Sequence, residues 1–236
     1  MSEWFYRFFF GIYPYLCVTV LLLGSFIRFE RAQYTWRSGS SELLAHRSLV
    51  IGSNIFHIGV LALVFGHFFG MFTPVPWYTR LGVTVEDHAI LEVGAGGTFG
   101  AVCFIGVSIL FWRRLVNPAV RRTSSAWDIL VLALVWVQLA VGMATVPLSW
   151  ADHVSGATLL HASQWAQRLA AFSPDSWEAV VGIPTVYQAH IILGLTIFAL
   201  APFTRLVHIW SAPYFYLWRR YQIVREPFRK GQAARI

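Results

Sequence analysis

The stretch Ser53-Asn54-Ile55-Phe56-His57-Ile58-Gly59-Val60-Leu61-Ala62-Leu63-Val64-Phe65-Gly66-His67 sets two imidazoles ten residues apart inside an apolar run. The run extends over about 49–72, more than the ~20 residues that cross a bilayer. Ionisable side chains at that depth are costly and read by default as functional. A second run of this kind, about 182–210, carries His190 and His208. Three more apolar runs lie at about 8–29, 89–112 and 128–148. Together they predict an all-α fold: one integral membrane bundle of five transmembrane helices spanning residues 1–236, with a tail at 211–236.

Composition agrees. Of the 236 residues, 57% are hydrophobic and only 12% are charged, whereas a soluble domain has about a quarter charged. The net charge of +7 does not point to nucleic acid, because the cations cluster at the ends of apolar runs. Arg28, Arg31, Arg37 and Arg47 follow the first run, and Arg113, Arg114, Arg121 and Arg122 follow the third. Arg219, Arg220, Arg225, Arg229, Lys230 and Arg235 follow the last. The positive-inside rule then puts the N-terminus outside and the C-terminus in the cytoplasm. The N-terminus lacks the small-residue cleavage site of a signal peptide, so the first run is expected to be a retained span. Cys17 and Cys103, both inside apolar runs, are too few for an iron–sulfur cluster and form no Cys-x-x-Cys-His haem attachment.

Local signals fill in the connections. Pro14 interrupts the first run and needs neighbouring helices to satisfy the carbonyl it frees. Trp77 and Tyr78 suit an interfacial aromatic belt. Ser124 and Ser125 before Asp128 read as a helix cap. Within the long connection 149–181, Leu159, Leu160, Trp165, Leu169 and Phe172 recur at helical spacing and predict a short interfacial helix. Gly94, Gly96, Gly97 and Gly100 serve either close helix packing or the approach of a flat ligand.

The second and fifth runs cross in opposite directions, so His57 pairs in depth with His208, and His67 with His190. On straight helices the separations are ~15 Å and ~27 Å, a mismatch that tilt could absorb. Eighteen residues are five turns, so His190 and His208 share a face, while His57 and His67 lie about 80° apart. Such a pattern fits bis-imidazole ligation of two haems; polar bonding between helices is the plainer alternative. Axial imidazoles on both faces close the iron to small ligands and suit electron transfer. Ser53, Asn54 and Thr204 are available to orient ligating rings. Arg37, Arg113 and Arg205 are candidate partners for the inner haem's propionates, or else interfacial anchors. His46, His88, His153 and His161 fall in connections or at run ends and read as solvated side chains. A membrane cytochrome without a soluble domain most naturally takes electrons from a quinol. Its proton would go to His67 or to His88 at the foot of the third run, with Gly66 and Gly70 giving a flat ring room.

Five runs of residues resemble the gamma, or cytochrome b, subunit of membrane-bound respiratory nitrate reductase. They are Phe10-Gly11-Ile12-Tyr13-Pro14-Tyr15, Gln33-Tyr34-Thr35-Trp36-Arg37, Ser53-Asn54-x-Phe56-His57-Ile58-Gly59, Gly66-His67-Phe68-Phe69-Gly70-Met71 and Pro202-Phe203-x-Arg205-Leu206-Val207-His208-Ile209-Trp210. The resemblance implies a proximal haem b on His57 and His208 and a distal haem b on His67 and His190. It implies quinol oxidation at the distal haem, and partner subunits carrying iron–sulfur clusters and molybdenum that reduce nitrate in the cytoplasm. The setting would be the cytoplasmic (inner) membrane of a bacterium or archaeon. Family members carry a Lys near the quinol site where this chain places His88. Related dihaem cytochromes of sulfur-compound, heterodisulfide or nitrite-oxidising complexes, and a haem-free anchor, are the alternatives.

Overall fold

A computed structural model describes residues 2–32 and 46–211. Arg37 and the basic tail from residue 212 lie outside the described residues. Five helices are long and apolar enough to cross a membrane. They are α1 (Glu3–Ala32), α2 (His46–Phe72), α4 (Val85–Val116), α6 (Ala126–Ala151) and α8 (Thr185–Leu200, continued by a 3-10 turn to Phe203). Short helices α3 (Val75–Thr79), α5 (Pro118–Arg122) and α7 (Ala157–Ala170) sit between them. The last of these is the helix expected in the long connection.

Around the bundle, α2 packs on α4, α4 on α6, α6 on α8, and α8 on α1. The α2–α4 seam is closest because glycines let backbones meet. A Cβ at Gly59 would come within 2.6 Å of the Cys103 backbone nitrogen, and one at Gly106 would overlap the Phe56 nitrogen. Of the four glycines that open the third run, Gly97 and Gly100 abut Val146 and Met143 of α6, while Gly94 and Gly96 face open space, so only the first two serve helix packing. Among the described residues α2 and α8, which carry three of the four histidines in question, do not pack closely on one another.

One capping box was expected from the sequence and a second was not. Ser125 and Asp128 form a capping box at the start of α6, and Thr84 and Asp87 form one at the start of α4. Pro14 removes the donor for the Phe10 carbonyl. The chain answers with a π-helical stretch, Arg7–Ile12, and with the Trp165 indole of α7, which donates to Phe10 O at 2.9 Å.

The fifth span departs from the straight rod expected over 182–210. Regular helix ends at Leu200, residues 201–203 tighten to a 3-10 turn, and Thr204 is extended (φ −123°, ψ −177°) before a second 3-10 stretch, Arg205–Ser211. Pro202 cannot donate within a helix, so the ladder breaks there. Arg28 of α1 closes the break, its guanidinium donating to Pro202 O at 2.6 Å and to Thr204 O at 2.9 Å. The Trp210 indole donates to Ser25 Oγ at 3.0 Å and ties the final turn to the same helix. Counting turns from His190 to His208 therefore has no meaning across the break.

Candidate functional site

The structure brings the four imidazoles together in the two pairs that topology suggested. The rings of His57 and His208 stand 6.2 Å apart between centres, with planes inclined at 69°. Those of His67 and His190 also stand 6.2 Å apart, inclined at 34°. Each pair bridges the slot between α2 and the α8 chain, where the backbones do not pack closely among the described residues.

That separation has a chemical meaning. Two imidazoles gripping one metal from opposite faces need about 2 Å for each bond plus half of each ring, about 6 Å in all. Edge-to-face rings reach the same separation, so proton placement is the sharper test. Proton placement agrees. Nδ1 of His57 lies 2.7 Å from Ser53 O, Nδ1 of His67 lies 2.8 Å from Leu63 O, and Nδ1 of His208 lies 2.6 Å from Arg205 O. A carbonyl only accepts, so each Nδ1 carries the proton and each Nε2 keeps its lone pair for a metal. Of the orienting groups foreseen, Ser53 takes part, also through its hydroxyl at 3.2 Å.

His190 is held differently. Gln138 of α6 places its amide nitrogen 3.1 Å from His190 Nδ1 and donates to the His190 carbonyl, also at 3.1 Å. Gly142 leaves the ring its place: a Cβ there would come within 2.8 Å of His190 Cε1. The buried Gln138 Oε1 has no hydrogen-bond partner among the described residues. Turning the amide over would aim this orphaned oxygen at Nδ1, which would then donate to it and leave Nε2 for iron. All four residues fit a pair of bis-imidazole haems on ring spacing, three of them on tautomer, and His190 through the orphaned oxygen once the amide is turned.

Around the His57/His208 end the charges are guanidinium groups and one carboxylate. Asp128 takes Arg114 at 3.6 Å and Arg205 at 3.4 Å. Arg113 is buried beside them in sequence, only 6% exposed. The candidates Arg113 and Arg205 thus belong to one cationic end, in which Arg205 is already engaged by Asp128.

Around the His67/His190 end the expectations need two corrections. His88 is not a solvated connection residue: α4 starts at Val85, so His88 is in its first turn, and it stacks on buried Tyr78 at 4.3 Å with planes 8° apart. Gly70 does not leave room for a flat ring, because the Glu92 carboxylate occupies the space a Cβ at residue 70 would take. Gly66 does, with nothing within 4 Å of its Cβ position. Sequence reading passed over Glu92, Gln138 and Arg28. Glu92 is the sole acidic side chain of the third apolar run, which was a signal available without coordinates.

With this geometry established, comparison with known proteins gives a consistent result. The family model described as nitrate reductase gamma subunit matches residues 6–227. The chain is 44% identical over 225 residues to the respiratory nitrate reductase 2 gamma chain of Escherichia coli, covering 95% of this chain and 99% of that one. It is 35% identical over 216 residues to the nitrate reductase gamma chain of Bacillus subtilis, covering 92% and 96%. A more distant relative, 22% identical over 170 residues, is the Hdr-like menaquinol oxidoreductase cytochrome b-like subunit of Archaeoglobus profundus, covering 67% and 47%.

Proposed function

The chain belongs to the nitrate reductase gamma subunit family, and from that premise we propose that it is the quinol-oxidising cytochrome b subunit of a respiratory nitrate reductase. As a member it is a multi-pass membrane subunit of a nitrate reductase complex. In our reading it holds two haems b, on His57 with His208 and on His67 with His190. It takes electrons from quinol near the outer face of a cytoplasmic (inner) membrane, beside His67. It delivers them to an iron–sulfur subunit and a molybdenum subunit that reduces nitrate in the cytoplasm. The observation that carries this is the matched 6.2 Å spacing of both imidazole pairs across an unpacked slot.

The chain's own residues divide the work. Ser53, Leu63 and Arg205 carbonyls fix three rings with Nε2 turned to the metal position, and Gln138 with Gly142 fixes the fourth. Gly66 leaves α2 open to a flat substrate ring one residue from His67. His88, pinned by Tyr78, meets the substrate hydroxyl. The cationic end, with Arg113 and Arg205, holds propionates and faces the cytoplasmic partners. The haems, when bound, would supply one-electron transfer between the two depths. Moving each electron inward against an inside-negative potential stores about 2.3 kcal/mol per 100 mV.

A pyridine haemochrome assay on the purified chain, paired with reduction by quinol, tests the reading. Two b haems per chain, both reduced by quinol, are expected; none would leave a haem-free anchor. The name of the archaeal relative favours one other reading, a dihaem cytochrome of a different quinone-linked complex. Nitrate-reducing subunits that co-purify with the chain would exclude it.

A further inference from the structure

Glu92 lies seven residues beyond the start of α4 and three residues, about 4.5 Å, inside its apolar run. A carboxyl at that depth is costly and needs a use or a partner. It is seated directly on Gly70 of α2, where a Cβ would overlap its Oε1. Gly70 follows His67 by three residues, less than a turn along the same face. The carboxylate therefore sits beside the outer imidazole pair.

One turn back on α4, His88 Nδ1 stands 3.7 Å from Glu92 Oε1. That is too long for a direct hydrogen bond and suited to a bridging water. The cavity that both residues line has a volume of about 20 Å³, enough for one water and far too small for a quinone ring. Tyr78 from α3 and His88 from α4 itself are the titratable groups facing Glu92 there. From α2 and α7 the cavity receives Gly70, Thr73, Leu159, Leu160 and Ser163, none of which titrates. A stacked imidazole, a water-sized space and a carboxylate inside the apolar run thus adjoin one another.

We infer that His88 and Glu92 form the proton-receiving pair for quinol oxidation, with His88 meeting the quinol hydroxyl and Glu92 taking the proton onward. This rests on the quinol reading above. A quinol becoming a quinone gives up two electrons and two protons. The electrons would pass one at a time to the two ferric haems of that reading. As the first O–H bond breaks, its proton moves to His88 Nε2, and the Nδ1 proton passes through the water to the Glu92 carboxylate. Glu92 releases it to the nearby aqueous end, water exchange returns the His88 proton from Nε2 to Nδ1, and the second O–H proton then follows the same way.

The test is E92Q in the full chain with its co-purifying subunits, driven by menadiol. The expected result is a kcat lower on the order of 10²-fold with KM nearly unchanged. Both haems are retained, and the acid limb of the pH–rate profile disappears. E92D restores much of the rate, and G70A, whose methyl takes the carboxylate's seat, reproduces the defect. An unchanged rate and pH profile in E92Q would overturn the inference, as would haem loss in both E92Q and E92D. H67A separates the two layers. If H67A oxidises menadiol normally, the quinol reading itself falls; if H67A fails while E92Q is normal, only the Glu92 assignment falls.

Discussion

The two imidazole pairs reach the same 6.2 Å separation by different construction. At the His67/His190 end both rings project from regular helix, and the surroundings are neutral or acidic: Gln138, His88, Tyr78 and Glu92. At the His57/His208 end one ring rides on a 3-10 turn beyond a broken helix, and the surroundings are arginines with a single aspartate. Equal ring spacing with unlike surroundings is what the proposed function asks for: in that reading both pairs hold the same group, protons leave at one end, and propionates dock at the other.

The strongest way to break this comparison is to delete one pair at a time. H190A and H67A should each lower haem content from two per chain to one and abolish quinol-driven reduction, while H57A and H208A remove the other haem. Spectra of dithionite-reduced protein check this. An equal loss of both haems from every variant would mean the ends are not independent.

Arg28 tests the broken helix. R28L leaves the Pro202 and Thr204 carbonyls without their donor, at a cost of about 1.5–3 kcal/mol for charge-assisted bonds. The His57/His208 haem should be lost first on heating, and the other should be retained. Haem release followed by absorbance against temperature reads the order directly.

Gln138 tests the other end. In Q138L, His190 loses its orienting amide, and the hold on the outer haem should weaken about 10–100-fold, as removal of such supporting groups does elsewhere. Electron paramagnetic resonance should show a changed signal for that haem alone. The smallest effect belongs to W165F, which removes the donor to Phe10 O and should cost about 1 kcal/mol of stability. It should leave both haem signals unchanged; a shift in either would tie the π-helical stretch to the site.

Much of this was legible beforehand, for reasons that residues make plain. Two histidines in each of two apolar runs, running in opposite directions, can pair in only one depth order, so His57 with His208 and His67 with His190 needed no coordinates. His88 was misplaced because its helix begins at the Thr84/Asp87 cap, four residues before the apolar run itself starts. Gly70 was misread because its neighbour, Glu92, lies on another helix. The straight fifth span failed at Pro202, a residue visible in the sequence but one that membrane helices often accommodate.

The sequence by itself determined the five spans, the cap of α6 and the pairing of the imidazoles. Those depend on run length, on side chains a turn apart and on the order of crossings, all of which are local or topological. Only the tertiary structure decided where the fifth span breaks and who satisfies it, how His190 is oriented, and that a carboxylate fills the notch at Gly70. Each of those is a contact between residues distant in the chain, chosen by close packing and by the demand of freed carbonyls for donors. No periodicity within a single segment encodes such a match.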